Sequence, residues 1–237
     1  MASPSNERFR TTRWTLIRHA SSPEDDESGP VALADFCKNY REPLLAFAKA
    51  TVSNREEAED LIQGFFEKLL ERNFLAAADP SRGRLRTFLL TCLKRHITDE
   101  YRKSAAAKRG GGITQLSLEE AGSVTSDALG PEALYHRQWA LVILERSVAT
   151  LQEAWAAKGK AELFEALKPF LGYLPNEESD RELLAGNLGM SKGALKTLLY
   201  RLRKEYREVL LQEVGETLDS KTPDEVMEEL KELLVCV

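Results

Sequence analysis

The sequence predicts an all-α protein in which two helical domains are joined by a flexible linker. Apolar residues recur at helical spacing in several segments, and no long run alternates β-branched with polar residues. A glycine-rich stretch near the middle of the chain separates the two groups of helical segments. We therefore expect one domain over residues 1–107, a linker over 108–130 and a second domain over 131–237.

Three helices are predicted in the first domain. The first covers about 31–52, where Pro43 would break or kink it. The second follows a cap at Ser53-Asn54, with Glu56 and Glu57 in its first turn, where carboxylates suit the helix dipole. The third runs from roughly Leu85 to Lys103. The second helix should bury one apolar stripe, consisting of Ala58, Leu61, Ile62, Phe65, Phe66, Leu69 and Leu70.

The second domain should open with a long helix, because Gly130-Pro131-Glu132 puts proline at a favourable first position. Further helices are expected over about 160–171, 179–188 and 191–214. A terminal helix follows a capping box at Thr222 and Glu225, and we expect it to pack on the second domain. The long helix is expected to bury Leu134, Leu141, Leu144, Val148 and Leu151, and the core is expected to hold Trp14, Trp139 and Trp155.

Charge is unevenly distributed along the chain. The net charge is −5, yet residues 82–109 hold nine basic side chains against two acidic ones. Residues 192–208 hold six against two. Acidic residues gather in 24–27, in 56–60 and after Glu213. Two basic clusters on an acidic chain predict two separate contacts with an anion, together with acidic surfaces for something basic.

The segment from Asp180 to Leu211 has the pattern of a helix-turn-helix. A short helix ends at Leu188-Gly189, where glycine suits a left-handed turn, and Ser191 can cap the helix that follows. That second helix should bury leucines and turn its cations outward, as in a helix that enters a DNA major groove. An ordinary helical hairpin with a solvated basic face is the alternative.

The basic cluster between Gly83 and Lys103 is interleaved with Leu85, Phe88 and Tyr101. Cations that follow phosphates, beside aromatic rings on which bases can stack, suit single-stranded or melting DNA. The apolar residues of the cluster are better explained as core, so the basic residues and Tyr101 are the functional candidates.

Other classes of function find little support. Cys37, Cys92 and Cys236 are too scattered for a disulfide framework or a metal site, and the three histidines are not spaced as ligands. We find no nucleophile elbow and no phosphate-binding loop, so we expect neither an enzyme nor a cofactor. No apolar run is long enough to cross a bilayer and the N-terminus has no signal pattern, which predicts a cytoplasmic protein.

These features together resemble the extracytoplasmic-function (ECF) class of bacterial sigma factors. Residues 57–66, of sequence EAEDLIQGFF, are similar to the helix with which that family binds RNA polymerase. The resemblance implies core-polymerase contacts by Asp60 and Gln63, with Glu59 and Glu67 beside them. The resemblance covers nearly the whole chain. It is stronger to a subgroup of the family that carries Thr11-Thr12-Arg13-Trp14, Lys108-Arg109-Gly110-Gly111-Gly112 and Trp139-Ala140-Leu141.

The same resemblance implies two DNA contacts. Residues 85–103 are similar to the part that melts and reads the minus-ten element, which implicates Arg86, Lys94, Arg95, Asp99, Arg102 and Lys103. Residues 187–203 are similar to the reader of the minus-thirty-five element. There the implied DNA-binding residues are Ser191, Lys192, Lys196, Thr197, Tyr200, Arg201, Arg203 and Lys204.

A sigma factor is thus the function that the resemblance implies, with core RNA polymerase and promoter DNA as partners and no bond chemistry of its own. An anti-sigma factor or another regulator is a further partner that this class allows. The alternative is a helix-turn-helix repressor that acts independently of polymerase, which would need a dimer interface and spaced half-sites. A metal-dependent hydrolase or nuclease would need a compact cluster of carboxylates to hold its metal ion, and we find no such cluster in the sequence.

Overall fold

The computed structural model describes residues 28–52, 54–71, 84–109, 129–172, 178–218 and 222–237. Within these residues the regular structure is helical throughout, which confirms the predicted all-α class. The elements are α1 Ser28–Thr51, α2 Arg55–Glu71, α3 Leu85–Arg109, α4 Pro131–Ala157, α5 Ala161–Leu167, a 3₁₀ turn Lys168–Phe170, α6 Glu178–Asn187, α7 Lys192–Gly215 and α8 Pro223–Val235.

The chain forms two compact units. The first comprises residues 1–142 with 215–237, and the second comprises residues 143–214. Residues 110–128, most of the expected linker, lie outside the described residues, as do Thr11–Trp14. The division into domains 1–107 and 131–237 therefore stays a prediction.

In the first unit, α1, α2 and α3 contact one another pairwise and enclose an apolar core. The stripe expected on α2 is largely confirmed: Phe66 is half-buried, the side chain of Leu70 lies outside the description, and the other five members are buried. The first part of α4 joins this core through Tyr135 and Trp139, and the Trp139 ring stacks on Tyr40 with centroids 4.6 Å apart.

Pro43 does not break α1, which is continuous from Ser28 to Thr51. Proline removes one backbone hydrogen bond from a helix interior. Here the residues beside it, Leu44 and Leu45, are buried in the core. Packing of this face compensates for the lost bond, because tertiary contacts dominate the stability of most protein helices.

The C-terminal helix α8 belongs to the first unit, so the expectation that it packs on the second domain was wrong. Its cap is as predicted: the Thr222 hydroxyl accepts a hydrogen bond from the Glu225 backbone N–H at 3.4 Å. The helix buries Val226, Leu230 and Leu233 together with the carboxylate of Glu229. That carboxylate needs a cation, and the arginines that it meets are in the first unit.

The second unit has its own apolar core, built by α5, α6, α7 and the later part of α4. Trp155 packs beside Phe164, and its indole N–H donates to the Glu205 carboxylate at 2.9 Å. The predicted burial of Trp139 and Trp155 is therefore confirmed. The expected stripe of α4 was mostly wrong, since Leu151 alone of its five members is fully buried, and the other four are partly exposed.

Candidate functional site

The outer face of α2 carries the four residues that the resemblance assigns to polymerase binding. Asp60, Gln63 and Glu67 are exposed and Glu59 is half-exposed. The Gln63 amide donates to the Glu67 carboxylate at 3.0 Å, and Glu59 pairs with Arg41. The helical stripe of apolar residues fixes this arrangement, because burial of Leu61 and Phe65 turns the acidic face outward.

A groove of about 350 Å³ runs beside this face, between α1 and α2. Its lining combines the apolar side chains of Ile62 and Phe66 with a polar rim. Cys37 and Arg41 contribute to it from α1, and sequence reasoning missed both. Phe66 was expected in the core, yet its half-exposed ring lines the groove. No signal in the sequence separates Phe66 from Ile62, since each follows another apolar residue of the stripe, yet Ile62 is buried.

A polar stripe runs along α3. Arg95, Asp99, Arg102 and Lys103 are all exposed, and their spacing of four, three and one residues keeps them on one side of the helix. Tyr101, with 43% of its surface exposed, lies about 100° around the helix from Arg102 and hydrogen-bonds to Glu57 of α2. Lys94 is half-buried, where it pairs with Glu132 and lies 5.9 Å from the centre of the Phe47 ring. The stripe thus combines three exposed cations with one exposed carboxylate.

The middle of α3 meets α2 through a buried histidine. His96 donates from Nε2 to the Leu61 carbonyl at 3.1 Å, so Nδ1 accepts from the Lys68 ammonium at 3.2 Å. Burial, and then the charge of Lys68, lower the pKa of His96 below its ordinary value. Hydrogen bonds from Lys68 and Lys103 lower the pKa of Glu100 to about 2. These contacts hold α3 against α2 and leave His96 neutral, which gives it a structural role.

Arg86 differs from the other residues assigned to the minus-ten element, because it is only 7% exposed. Its Nε donates to Glu229 of α8 at 2.7 Å and its NH2 group to Glu232 at 2.7 Å. The neighbouring Arg84 also pairs with Glu229, at 2.9 Å. Sequence reasoning did not single out Arg84, and it could not supply the acidic partners, which lie more than 140 residues away.

In the second unit, α6 and α7 are joined by a turn of four residues, 188–191. The N–H of Met190 donates to the Ala185 carbonyl at 3.0 Å and that of Gly189 to the Gly186 carbonyl at 3.1 Å. This pair of bonds is the Schellman motif, and Gly189 has its left-handed φ of 63°. Ser191 then caps α7 by accepting from the Ala194 N–H at 3.2 Å. The predicted left-handed turn at Gly189 and the predicted cap at Ser191 are thereby confirmed.

The outer face of α7 is basic. Seven of the eight residues assigned to the minus-thirty-five element are exposed, the exception being Arg203. The Arg203 guanidinium donates twice to the Phe170 carbonyl, at 2.8 and 3.1 Å, and so braces α7 against the 3₁₀ turn. Lys192 pairs with Glu182 across the turn, and Tyr200 is 70% exposed. The exposed members are Ser191, Lys192, Lys196, Thr197, Tyr200, Arg201 and Lys204.

Metal sites and membrane spans are both absent from the described part of the chain. No cluster of three or more histidine, cysteine or carboxylate side chains that could hold a metal ion occurs there. Among the helices with assigned positions, none is long and apolar enough to cross a membrane.

The acidic face of α2 and the polar stripe of α3 both lie in a segment whose sequence matches a known protein family. Residues 36–107 match the Sigma-70 region 2 family. The match supports a sigma factor of the sigma-70 family, a non-enzymatic initiation factor that binds RNA polymerase and recognises promoters. This region 2 segment (residues 36–107) includes most of α1, all of α2 and most of α3. The chain matches no curated protein and no solved structure.

Proposed function

We propose that this chain is an ECF-type sigma factor, a cytoplasmic protein that binds core RNA polymerase and directs it to promoters. The match of residues 36–107 to Sigma-70 region 2 carries the proposal. Both surfaces that such a segment would need are exposed on it, namely the acidic face of α2 and the polar stripe of α3. The basic face of α7 supports a second DNA contact.

Core polymerase would bind the outer face of α2. The exposed Asp60 and Gln63 offer a carboxylate and an amide to a basic or polar partner. The adjacent groove adds apolar area at the half-exposed ring of Phe66. An apolar centre with a polar rim is the usual anatomy of a protein–protein interface. A regulator such as an anti-sigma factor would have to cover this face or one of the DNA-binding faces.

The polar stripe of α3 would bind the minus-ten element as its strands separate. Arg95, Arg102 and Lys103 are exposed and can follow phosphates, while the partly exposed Tyr101 can stack on a base. Asp99 can accept from an exocyclic amine of a base, as carboxylates do from cytosine. Arg86 and Lys94 are assigned by the resemblance alone, because Arg86 is buried, Lys94 is half-buried, and both pair with carboxylates.

The helix-turn-helix formed by α6, the turn at Gly189 and α7 would read the minus-thirty-five duplex. Its first turns expose Lys192, Lys196 and Thr197, at the end of a helix that usually approaches base edges. Tyr200, Arg201 and Lys204 follow along the same helix and can contact phosphates. We expect Arg203 to support the helix from behind, because its guanidinium is bound to the Phe170 carbonyl.

Run-off transcription with purified core polymerase tests the whole proposal. Addition of this protein should produce transcripts with defined start sites from some promoter fragments in a panel. The repressor would be favoured if the protein gave no transcript, did not bind core enzyme, and reduced transcription by a separate holoenzyme. A repressor would also use the basic helix α7, but it would not need the acidic face of α2.

Two variants test the assigned surfaces. Asp60→Lys should weaken co-purification with core enzyme while the far-ultraviolet circular dichroism stays unchanged; Glu153→Lys, at an exposed carboxylate of α4, is its control. Lys196→Ala should lower promoter affinity and reduce the salt slope of binding by about one unit. Lys158→Ala, at an exposed lysine of the same unit, should do neither. Equal behaviour of a variant and its control would reject that surface.

A further inference from the structure

Two arginines at the start of α3 are held by two glutamates of the C-terminal helix. In this arginine–glutamate cluster (Arg84, Arg86, Glu229 and Glu232), Glu229 accepts from Arg86 Nε at 2.7 Å and from Arg84 Nε at 2.9 Å. Glu232 accepts from Arg86 NH2 at 2.7 Å and from Arg84 NH2 at 2.8 Å. Each carboxylate therefore bridges both guanidinium groups.

The cations of the cluster are at the wrong end of their helix for local stability. Arg84 immediately precedes α3 and Arg86 is its second residue, where the helix dipole already places partial positive charge. Cations at this end are unfavourable unless an anion joins them, and a helix N-terminus with arginines is a setting that attracts phosphate. Here the compensating anions come from α8, at the other end of the sequence.

The outer half of the cluster is open to solvent. The side chains of Glu232 and Arg84 are 43% and 32% exposed, whereas Glu229 and Arg86 are 1% and 9% exposed. The pKa of Glu232 is below its ordinary value because of its hydrogen bond to Arg84, so the carboxylate is ionised near neutrality. A competing anion can thus approach the outer pair first, since exposed ion pairs are weak.

The inner arginine is held in place by groups other than α8. The Tyr135 hydroxyl donates to the Arg86 backbone carbonyl at 2.8 Å, and His136 Nδ1 lies 3.1 Å from Arg86 NH1. Burial, followed by the charge of Arg86, lowers the pKa of His136, so His136 is neutral and its Nδ1 accepts from the guanidinium. Departure of α8 would therefore leave Arg86 still positioned by α4, facing the space that Glu229 had occupied.

The attachment of α8 is suited to reversible release. An isolated helix of 13 residues is marginal in water, so α8 depends on its docked face. That face consists of three buried apolar residues, Val226, Leu230 and Leu233, together with Glu229. The carboxylates of Glu229 and Glu232 add to this apolar contact the only charged contacts that are described between α8 and the start of α3.

We propose that α8 is an internal competitor of promoter DNA: its Glu229 and Glu232 occupy Arg84 and Arg86 in the free protein, and DNA phosphates displace them. The inference rests on the proposed function, in which the segment that begins with these arginines meets the minus-ten element. Carboxylate and phosphate both bind guanidinium groups through paired N–H donors, so the two anions are alternatives at one site. Docked α8 keeps the free protein from binding DNA strongly.

Affinity for DNA provides the first test, with full-length protein and a fluorescent single-stranded DNA of mixed sequence. Glu232→Gln should tighten binding by about two- to five-fold, which is the range expected for loss of one exposed ion pair. Glu228→Gln is the matched control, because Glu228 is exposed on the same helix, forms its ion pair with Lys231, and acts on Arg84 through its charge alone, without a hydrogen bond. Equal affinities for the two variants would overturn the proposal.

Glu229→Gln should tighten binding further, since the contacts of Glu229 with both arginines are shielded from solvent, whereas those of Glu232 are partly exposed. This substitution at a buried position could also unfold the first unit, which circular dichroism would reveal. Glu232→Gln decides the question in that case, because its side chain is on the surface.

Hydrogen exchange of the α8 amides provides the second test. Saturation with the same DNA should accelerate exchange over residues 223–235 in the wild-type protein. Unchanged protection of α8 in the DNA complex would overturn the proposal even if affinities differ.

The two proposals can fail separately. Promoter-specific run-off transcription, combined with equal affinities for Glu232→Gln and Glu228→Gln, would reject the competitor and keep the sigma factor. Tighter DNA binding by Glu232→Gln and release of α8, without any core-dependent transcription, would reject the sigma factor and keep the competition between α8 and DNA.

Discussion

Gly189→Ala is expected to destabilise the second unit by about 1–2 kcal/mol. The residue has φ of 63°, and an L-residue in this left-handed region costs about that much because its Cβ approaches the following carbonyl. No other atom lies within 4 Å of an added Cβ, so the cost arises from the backbone alone. The two hydrogen bonds that close the turn require this conformation.

Gly186→Ala is the matched control, three residues earlier. It has open space around its Cβ position and lies within α6. Alanine there should stabilise the unit by about 0.5–1 kcal/mol, because glycine is the poorer helix former. The stability of Gly189→Asn should lie between the stabilities of the two alanine variants, since asparagine tolerates the left-handed region better than most other non-glycine residues.

Hydrogen exchange of the α6 and α7 amides, measured under native conditions, reports the stability of this unit separately from the first. Protection factors should fall for Gly189→Ala and rise for Gly186→Ala. A neutral or stabilising Gly189→Ala would refute the left-handed turn. If Gly189→Ala also lowers promoter affinity and Gly186→Ala does not, the entry angle of α7 contributes to DNA binding.

Three further effects are expected on stability, each measurable by urea unfolding. Gly64→Ala should stabilise the first unit by up to about 1 kcal/mol, because the new Cβ would lie an ordinary 3.7 Å from the ring of His96; destabilisation would mean that α2 and α3 lack this space. Trp155→Phe should cost about 2 kcal/mol, since it removes the N–H bond to the Glu205 carboxylate, and an unchanged stability would discount that bond. The lowered pKa of His96 means that the unfolded chain takes up a proton near pH 6.5 that the folded chain does not. This histidine's contribution should therefore be complete above that pH and decline below it, and His96→Gln should flatten the profile.

Where the apolar residues of a helix lie on one side, the sequence alone was sufficient to predict which side is buried. In α2 the stripe from Ala58 to Leu69 recurs at helical spacing with charged residues elsewhere, so the buried side and the exposed acidic side followed together. The caps of α7 and α8 were predictable for a similar reason. Ser191 and Thr222 act on backbone N–H groups within three residues, and such contacts depend little on the rest of the fold.

The buried side of α4 could not be predicted in the same way. This helix is apolar on several sides, so its leucines and its aromatic residues form two competing stripes. The structure buries Tyr135, Trp139 and Ile143 in preference to Leu134, Leu141 and Leu144. Stacking of Trp139 on Tyr40 of α1 favours this choice. That contact joins residues about 100 positions apart, which periodicity within one helix does not encode.

The placement of Arg86 shows how a local conflict in the sequence can indicate a distant contact. Arginines at 84 and 86 precede and begin a helix, where a cation is unfavourable, and the residue pattern alone reveals this conflict. A cation in that position indicates an anion nearby, and the family resemblance had assigned Arg86 to DNA. The structure supplies Glu229 and Glu232 instead. Both answers satisfy the same physical requirement. Because Glu229 and Glu232 occupy N–H donors of both guanidinium groups, a phosphate could pair with the same donors only by displacing a carboxylate, and this is the exchange between α8 and DNA that we propose.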